Sequence, residues 1–285
     1  MKRRVFFLVT VDGDLRLGTP AQQHSAVLAI RDVHRRLGLL GRTSWMINEL
    51  DFHWTEHHPG LVLELVESGE ALGIHDHLET HHAFSHPRAV EMMHRSKSAV
   101  EALLLQHGYR KPISMHRNGC AFQNEVWYSA QRELGYQLVS DVWPEKAWSG
   151  GMLCDGAPPG AWRSLGPDEP GAIAMDNRGV PLTALPWRHE PANWLDYSSQ
   201  TGHFLQVPIT SMPSVDFRRF EKAAENGQPV AFLVLDTHPY DMQDPSTADV
   251  AGDRTDAYRD SLEWVMTAFG AEPIRLDEVE GLLPS

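Results

Sequence analysis

The stretch RVFFLVTVDGD, Arg4–Asp14, decides how the rest of the chain is read. Its apolar run, VFFLVTV, is far too short to cross a bilayer. It ends in two carboxylates, with no small-residue cleavage site behind the basic start MKRR, so it reads as a buried strand and not as a signal peptide. No transmembrane stretch occurs elsewhere, and the expected location is cytoplasmic.

From this strand outward the chain alternates. PAQQHSAVLAIRDVHRRLGLLG follows, with Val27, Ile30, Val33 and Leu37 on one helical face and Gly38 as a stop. TSWMIN is a second strand, HPGLVLELVESG a helix opened by Pro59 and followed by Gly69, ALGIH a third strand, and HPRAVEMMHRSKSAVEALLLQHG a long helix closed by Gly108. PISMH (strand), QNEVWYSAQRELG (helix) and YQLVSDV (strand) continue the pattern, and FLQVPIT, SVDFRRFEKAAENG, VAFLVLDTH, DAYRDSLEWVMTAFG and EPIRL resume it. Alternation of this kind implies an α/β fold, a parallel sheet under covering helices, and about seven such units can close into a barrel. Residues 145–200 break the rhythm. Rich in Gly, Pro and Trp, they read as an irregular insertion covering or shaping a pocket, within a single domain of residues 1–285.

The 285 residues, 42% hydrophobic, suffice for a large core without staples. Asp and Glu number 38 against 25 Lys and Arg; the formal charge of -13, with no basic run, argues against nucleic acid or an anionic membrane surface as the main partner. Cys120 and Cys154 offer no disulfide framework and are read as buried thiols.

In parallel α/β folds ligands bind at the carboxyl ends of the strands. Here Asp12 and Asp14 follow the first strand, His75, His77, His81 and His82 the third, His116 and Arg117 the fourth, and His238 the run VAFLVLD. A parallel barrel gathers these distant residues on one rim. The segment GIHDHLETHHAFSHP, Gly73–Pro87, alone holds five of the 16 histidines, and imidazole is the commonest protein ligand for zinc-like ions. Residues two apart on an extended segment face the same way, which suits Asp12 with Asp14 and His75 with His77. Residues four apart stack on a helix, which suits His77 with His81 if the chain turns helical there. Two imidazoles, one carboxylate and open positions suit a catalytic zinc-like ion. The bland alternatives are a solvated DGD turn and surface histidines; the shared strand-end placement favours a site.

Taken in order, TVDGD with LRLGTP, GRTSWMIN, ESGEALGIH with the HH beyond it, PISMHRNGCAFQNEVWYSAQRELGYQLVSD and LVLDTHPYD resemble the polysaccharide deacetylases of the NodB-homology type, carbohydrate esterase family four. The resemblance spans most of the chain outside 145–200. It is nearest the branch whose first motif is Asp-x-Asp, such as the deformylases acting on lipid-linked aminoarabinose. It implies a distorted (β/α) barrel and one divalent metal ion, zinc first among the candidates. It implies Asp12 as general base and Asp14 as a metal ligand. The usual second motif, H-x-x-x-H, fits His77 with His81, the favoured pair, and the strand match puts His75 next; two of these three are the expected ligands. Arg117, in Arg117-Asn118-Gly119, matches the third motif. His238 matches the last motif as the general acid that protonates a departing amine, with His116 next in line for that role. The fourth motif has only Asp141 and Trp143 as candidates, and Asp236 is expected to lie too far round its strand to orient His238. Asn118 and Trp143 are expected to touch substrate, and Trp148, Trp162, Trp187, Trp194 and His203 are further candidates for a sugar-stacking platform.

The resemblance therefore implies a metal-dependent hydrolase that removes an N-acetyl or N-formyl group from an amino sugar, on a small or lipid-linked carbohydrate. Two other functions fit part of the pattern. One is hydrolysis of a cyclic amide or of a glycosidic bond by paired carboxylates; the other is a non-catalytic carbohydrate-binding protein. The joint presence of Asp12 and Asp14 favours an enzyme.

Overall fold

The computed structural model describes residues 3–153, 163–165, 173–211, 217–225 and 227–283. The opening stretch forms β1 (Arg4–Asp12), followed by α1 (Pro20–Arg36), β2 (Ser44–Ile47), α2 (Glu49–Phe52), α3 (Trp54–His57), α4 (Pro59–Glu67), β3 (Ala71–Asp76), α5 (His86–Gln106), β4 (Met115–Asn118), α6 (Glu125–Glu133) and β5 (Leu138–Val139). Next come β6 (Ala147–Leu153), β7 (Arg163–Leu165), β8 (Ile173–Asp176), β9 (Trp187–His189) and β10 (Phe204–Gln206), then α7 (Phe217–Ala224), β11 (Val230–Thr237), α8 (Gly252–Phe269) and β12 (Glu272–Pro273). Local chemistry sets the helix starts. Thr19 caps α1 in a reciprocal box with Gln22, and Pro20 occupies a position where its missing N–H costs nothing.

Seven strands run parallel in the order β11-β1-β2-β3-β4-β5-β10, and β9 joins β10 antiparallel. The sheet curls until the chain beyond β10 meets β11. There Ser211 bridges Leu235 and donates its N–H to the Val234 carbonyl at 3.0 Å. A distorted (β/α) barrel of seven parallel strands results, as expected. The edge of β1 is shared: β12 pairs with it at Phe6 and Phe7, β2 at Thr10 to Asp12.

Alternation along the strands sorts side chains into two layers. Phe7, Val9, Val11, Ile74 and Leu233 pack against the helices. Phe6, Leu8, Met46, Met115, Phe232 and Val234 belong to a separate cluster that fills the barrel interior, with Leu276 and Val279 packed into it from the C-terminal segment. Each such side chain stabilises the fold by about 1.5–3 kcal/mol relative to exposure.

The interior rows place the site. Phe6 and Leu8 of β1 continue upward as Thr10 and Asp12, Phe232 and Val234 of β11 as Asp236 and His238, Ala71 and Gly73 of β3 as His75 and His77, and Met115 of β4 as Arg117. Apolar residues fill the lower barrel and polar ones its carboxyl rim. Gly73 is required in this row, because a Cβ there would lie 2.4 Å from Met46 Sδ.

Three details differ from expectation. The strand expected at PISMH lies later, at Met115–Asn118, beyond Pro112, which cannot donate to a ladder. The short helices α2 and α3 were not anticipated between Asn48 and Pro59. The 145–200 stretch holds an antiparallel sheet, order β7-β6-β8, and β9. Its strands are three to seven residues long, too short to show a readable period. Among the described residues, no helix is long and apolar enough to cross a membrane.

Candidate active site

The rim residues surround a cleft of about 400 Å³. Three donors converge in it. His75 Nε2 lies 3.2 Å from His77 Nε2, His77 Nε2 lies 3.2 Å from Asp14 Oδ2, and His75 Nε2 lies 3.5 Å from Asp14 Oδ1. Tetrahedral zinc with bonds of about 2.0–2.1 Å to such atoms has donor–donor edges of about 3.3 Å. The set therefore fits a divalent ion in both chemistry and spacing.

Neighbouring groups aim each donor. His75 Nδ1 donates to the Arg117 carbonyl at 3.2 Å and His77 Nδ1 to Glu79 Oε1 at 2.7 Å, which leaves Nε2 of each as the inward atom. Asn48 Nδ2 donates to Asp14 Oδ1 at 2.8 Å. Gly119 gives the His77 ring its room, because a Cβ there would fall 2.2 Å from Nδ1. Burial holds His75 down to about 3, against the pull of Asp14, so its imidazole is neutral. For His77 burial also opposes the charge, but Asp14 and Glu79 outweigh it and raise the pKa well above its usual value. Asp14 is pushed up by burial and pulled down further by Arg16 and the two histidines, ending well below the carboxylate range. Arg16 ion-pairs with Asp14 Oδ2, lies 3.3 Å from His77 Nε2 and stacks over Tyr240 at 4.9 Å. The donors thus already attract a cation.

Asp12 stands between this cluster and His238. Its Oδ1 accepts from Arg117 Nη1 at 2.9 Å, while its Oδ2 is 3.8 Å from His75 Nε2 and 3.9 Å from His238 Nε2. Arg117 is fully engaged beneath the cleft: it also pairs with Asp236 and donates to Thr10 Oγ1 at 3.0 Å and to the Ser140 carbonyl at 2.8 Å. Burial raises the Asp236 carboxyl to about 6 despite Arg117. His238 is oriented by Asp241, whose Oδ2 lies 3.1 Å from Nδ1 and accepts the His238 N–H at 2.8 Å. Burial disfavours its imidazolium, but Asp241, Asp236 and Asp12 outweigh that and raise it to about 9.

Some expected residues lie elsewhere. His81 is not in the donor cluster; its Nε2 bonds Asp51 Oδ1 at 2.7 Å. The chain turns sharply after His77, with Thr80 N–H returning to the His77 carbonyl at 3.1 Å, so helical i,i+4 stacking does not arise. His116 and Asn118 sit one residue either side of inward-facing Arg117 and therefore face outward. His116 bonds Asp76 at 3.1 Å and Gln131 at 2.9 Å; Asn118 bonds Asp141 and Gln131. Asp141 serves as the brace of Asn118, its backbone N–H accepted at 2.7 Å, rather than lining the cleft. Trp143 does line it. Trp187 is buried with Val142 and Val180, and its Nε1 donates to the Trp194 carbonyl. His203 bonds the Tyr136 carbonyl at 2.8 Å. The Trp148 side chain, Trp162 and Cys154 lie outside the described residues; Cys120 is a free, half-buried thiol in the cleft lining.

Four functional neighbours went unnoticed in the sequence: Asn48, Glu79, Asp241 and Arg16. Asn48 directly follows β2, so strand-end placement covers it, whereas Glu79 lies in the turn after His77, where the two-residue period does not hold. Asp241 sits in the single 3₁₀ turn Pro239–Met242 and Arg16 in a loop, where no period applies.

The fold, but no sequence match, has known counterparts. No protein-family model matches the chain, and no curated protein matches it. A crystal structure of a protein provisionally named a polysaccharide deacetylase, from Mycobacterium smegmatis, aligns with a TM-score of 0.62 at 12% identity, over 99% of this chain and 92% of that one. The 4-alpha-glucanotransferase of Thermococcus litoralis aligns with a TM-score of 0.54 at 12% identity, over 98% of this chain and 38% of that one. At such identities the likeness concerns the fold alone, and these two names stand for different reactions. The chemistry has to be read from the site.

Proposed function

We propose that this protein is a metal-dependent N-deacylase that removes an acetyl or formyl group from an amino sugar, with zinc held by Asp14, His75 and His77. The observation that carries the proposal is the placement of Asp12, one oxygen held by Arg117 and the other facing both the donor cluster and His238. A divalent ion bound at the cluster polarises an acyl oxygen and makes water a better nucleophile at neutral pH.

The side chains supply the proton traffic. Asp12 takes the proton from the attacking water at Oδ2, because Oδ1 is committed to Arg117. His238 donates from Nε2 to the departing amine, because Nδ1 is committed to Asp241. Such acid–base assistance contributes about 10²–10⁴-fold. Hydrolysis of a glycosidic bond has weaker support. It needs two carboxylates on opposite sides of a sugar, whereas Asp12 and Asp236 share one nitrogen of Arg117. Trp143, Lys146 and Ala147 in the cleft lining support a single-barrel protein in which the 145–200 stretch forms one wall over the site. A small or lipid-linked carbohydrate in the cytoplasm is the proposed substrate.

Release of acetate and formate from N-acetyl and N-formyl amino sugars tests this. Release that stops on chelation and returns with zinc is expected; release indifferent to chelation contradicts it.

A further inference from the structure

The outer wall of the cleft carries a cation that pairs with no carboxylate among the described residues. Lys146, at the entry to β6, lines the cleft beside Trp143. Its Nζ lies 5.3 Å from the centre of the Trp143 ring, which holds the ammonium over the indole face. Its backbone is fixed too. Asn177 N–H donates to the Lys146 carbonyl at 2.8 Å, and Glu145 N–H donates to the carbonyls of Asn177 and Val180 at 3.0 and 3.1 Å.

The acids beside it are committed elsewhere. Glu145 accepts from Lys222 Nζ at 2.6 Å and from the Leu182 N–H at 3.3 Å. Asp176, paired with Ala147 across the ladder, is held by Arg178 at 2.6 and 2.8 Å. Trp143 Nε1, a group that only donates, is buried without a hydrogen-bond partner among the described residues. Lys146 therefore presents a charged donor on this wall with no acceptor among the described residues, beside an indole N–H that is itself unpartnered.

Deeper in the cleft two guanidiniums face three carboxylates, which leaves one negative charge. Arg117 serves Asp12 and Asp236, and Arg16 serves Asp14. Lys146, together with any divalent ion, makes the cleft as a whole positive. That is not what a chain of formal charge -13 presents by default. A cleft of one sign concentrates ligands of the other.

We infer that Lys146 and the Trp143 indole N–H form a subsite for an anionic substituent, carboxylate or phosphate, carried on the sugar whose acyl group meets Asp12. That the anion arrives on an amino sugar rests on the N-deacylase proposal; the anion subsite itself does not.

Calorimetric binding to zinc-loaded Asp12→Asn protein separates the two, since no turnover is needed. The probes are N-acetylglucosamine, N-acetylglucosamine 6-phosphate, N-acetylmuramic acid and inorganic phosphate. At least one anionic sugar is expected to bind about tenfold more tightly than the neutral one, the size of one charge-assisted hydrogen bond. Which of the two binds tightly identifies phosphate or carboxylate. Lys146→Met should remove the preference, Trp143→Phe should reduce it while keeping a ring under the ammonium, and added salt should weaken it. Equal binding of neutral and anionic sugars, or a preference that survives Lys146→Met, overturns the subsite. So does failure of every anion to bind. Lys146-dependent binding of inorganic phosphate with no binding of any sugar keeps the subsite and removes the amino-sugar proposal.

Discussion

His75 Nε2 and His77 Nε2 face each other at 3.2 Å, although each ring already spends its Nδ1 on another group. Two ring nitrogens this close need a proton or a cation to reconcile them. Glu79 is the group that keeps His77 turned inward. Glu79→Gln weakens that hold without changing its size, so zinc affinity should fall about 10–100-fold, as for other carboxylates behind a ligating histidine. Competition with a fluorescent chelator measures it; unchanged affinity would show that Glu79 merely fills space.

Gly119→Ala makes a steric prediction. The added methyl would fall 2.2 Å from Nδ1 and 2.4 Å from Cγ of His77, so the ring must leave its position or the loop must shift. Zinc affinity should drop while far-UV circular dichroism stays as in the parent. A variant that binds zinc like the parent contradicts the described packing of Gly119 against His77.

Asp12→Asn should retain the ion and lose turnover by about 10²–10⁴-fold, because the amide fills the same volume but accepts no proton. Loss of the ion in this variant would make Asp12 a ligand and reverse the roles within VDGD.

The pH profile should report His238. Its pKa is raised from 6.5 to about 9, so the acid stays protonated at neutral pH and the rate should fall as pH rises through about 9. The linked stability has the same sign: complete below about 6.5, lost as pH rises through about 9. Asp241→Asn removes the group that contributes most to the rise, so the alkaline limb should move to lower pH. His238→Ala should abolish that limb and cost less on an activated aryl ester, whose leaving group needs no proton. Equal losses on amide and ester would assign His238 to positioning.

The rim was legible in the sequence wherever one strand carried the pattern. Asp12 and Asp14, His75 and His77, Arg117 and His238 each follow a recognisable apolar run, and parallel strands bring those ends together. The two-residue period is exact for an extended chain, so His75 and His77 share a face. His81 was read on a helical period in a segment that turns instead, and its partner became Asp51. His116 was placed by its strand end and Asn118 by the motif; alternation turns both away once Arg117 faces inward. Asp241 shapes His238 through the 3₁₀ turn Pro239–Met242, and β6 to β9 are short strands of three to seven residues. The first is a local contact within one turn and the second rests on pairing between short strands; neither leaves a periodic trace.

Elemental analysis of purified variants tests the central claim most directly. The parent and His81→Ala should each carry one zinc ion per chain, and Asp14→Ala, His75→Ala and His77→Ala should carry almost none. Full occupancy in Asp14→Ala, or loss of the ion in His81→Ala alone, would contradict a centre built on Asp14, His75 and His77.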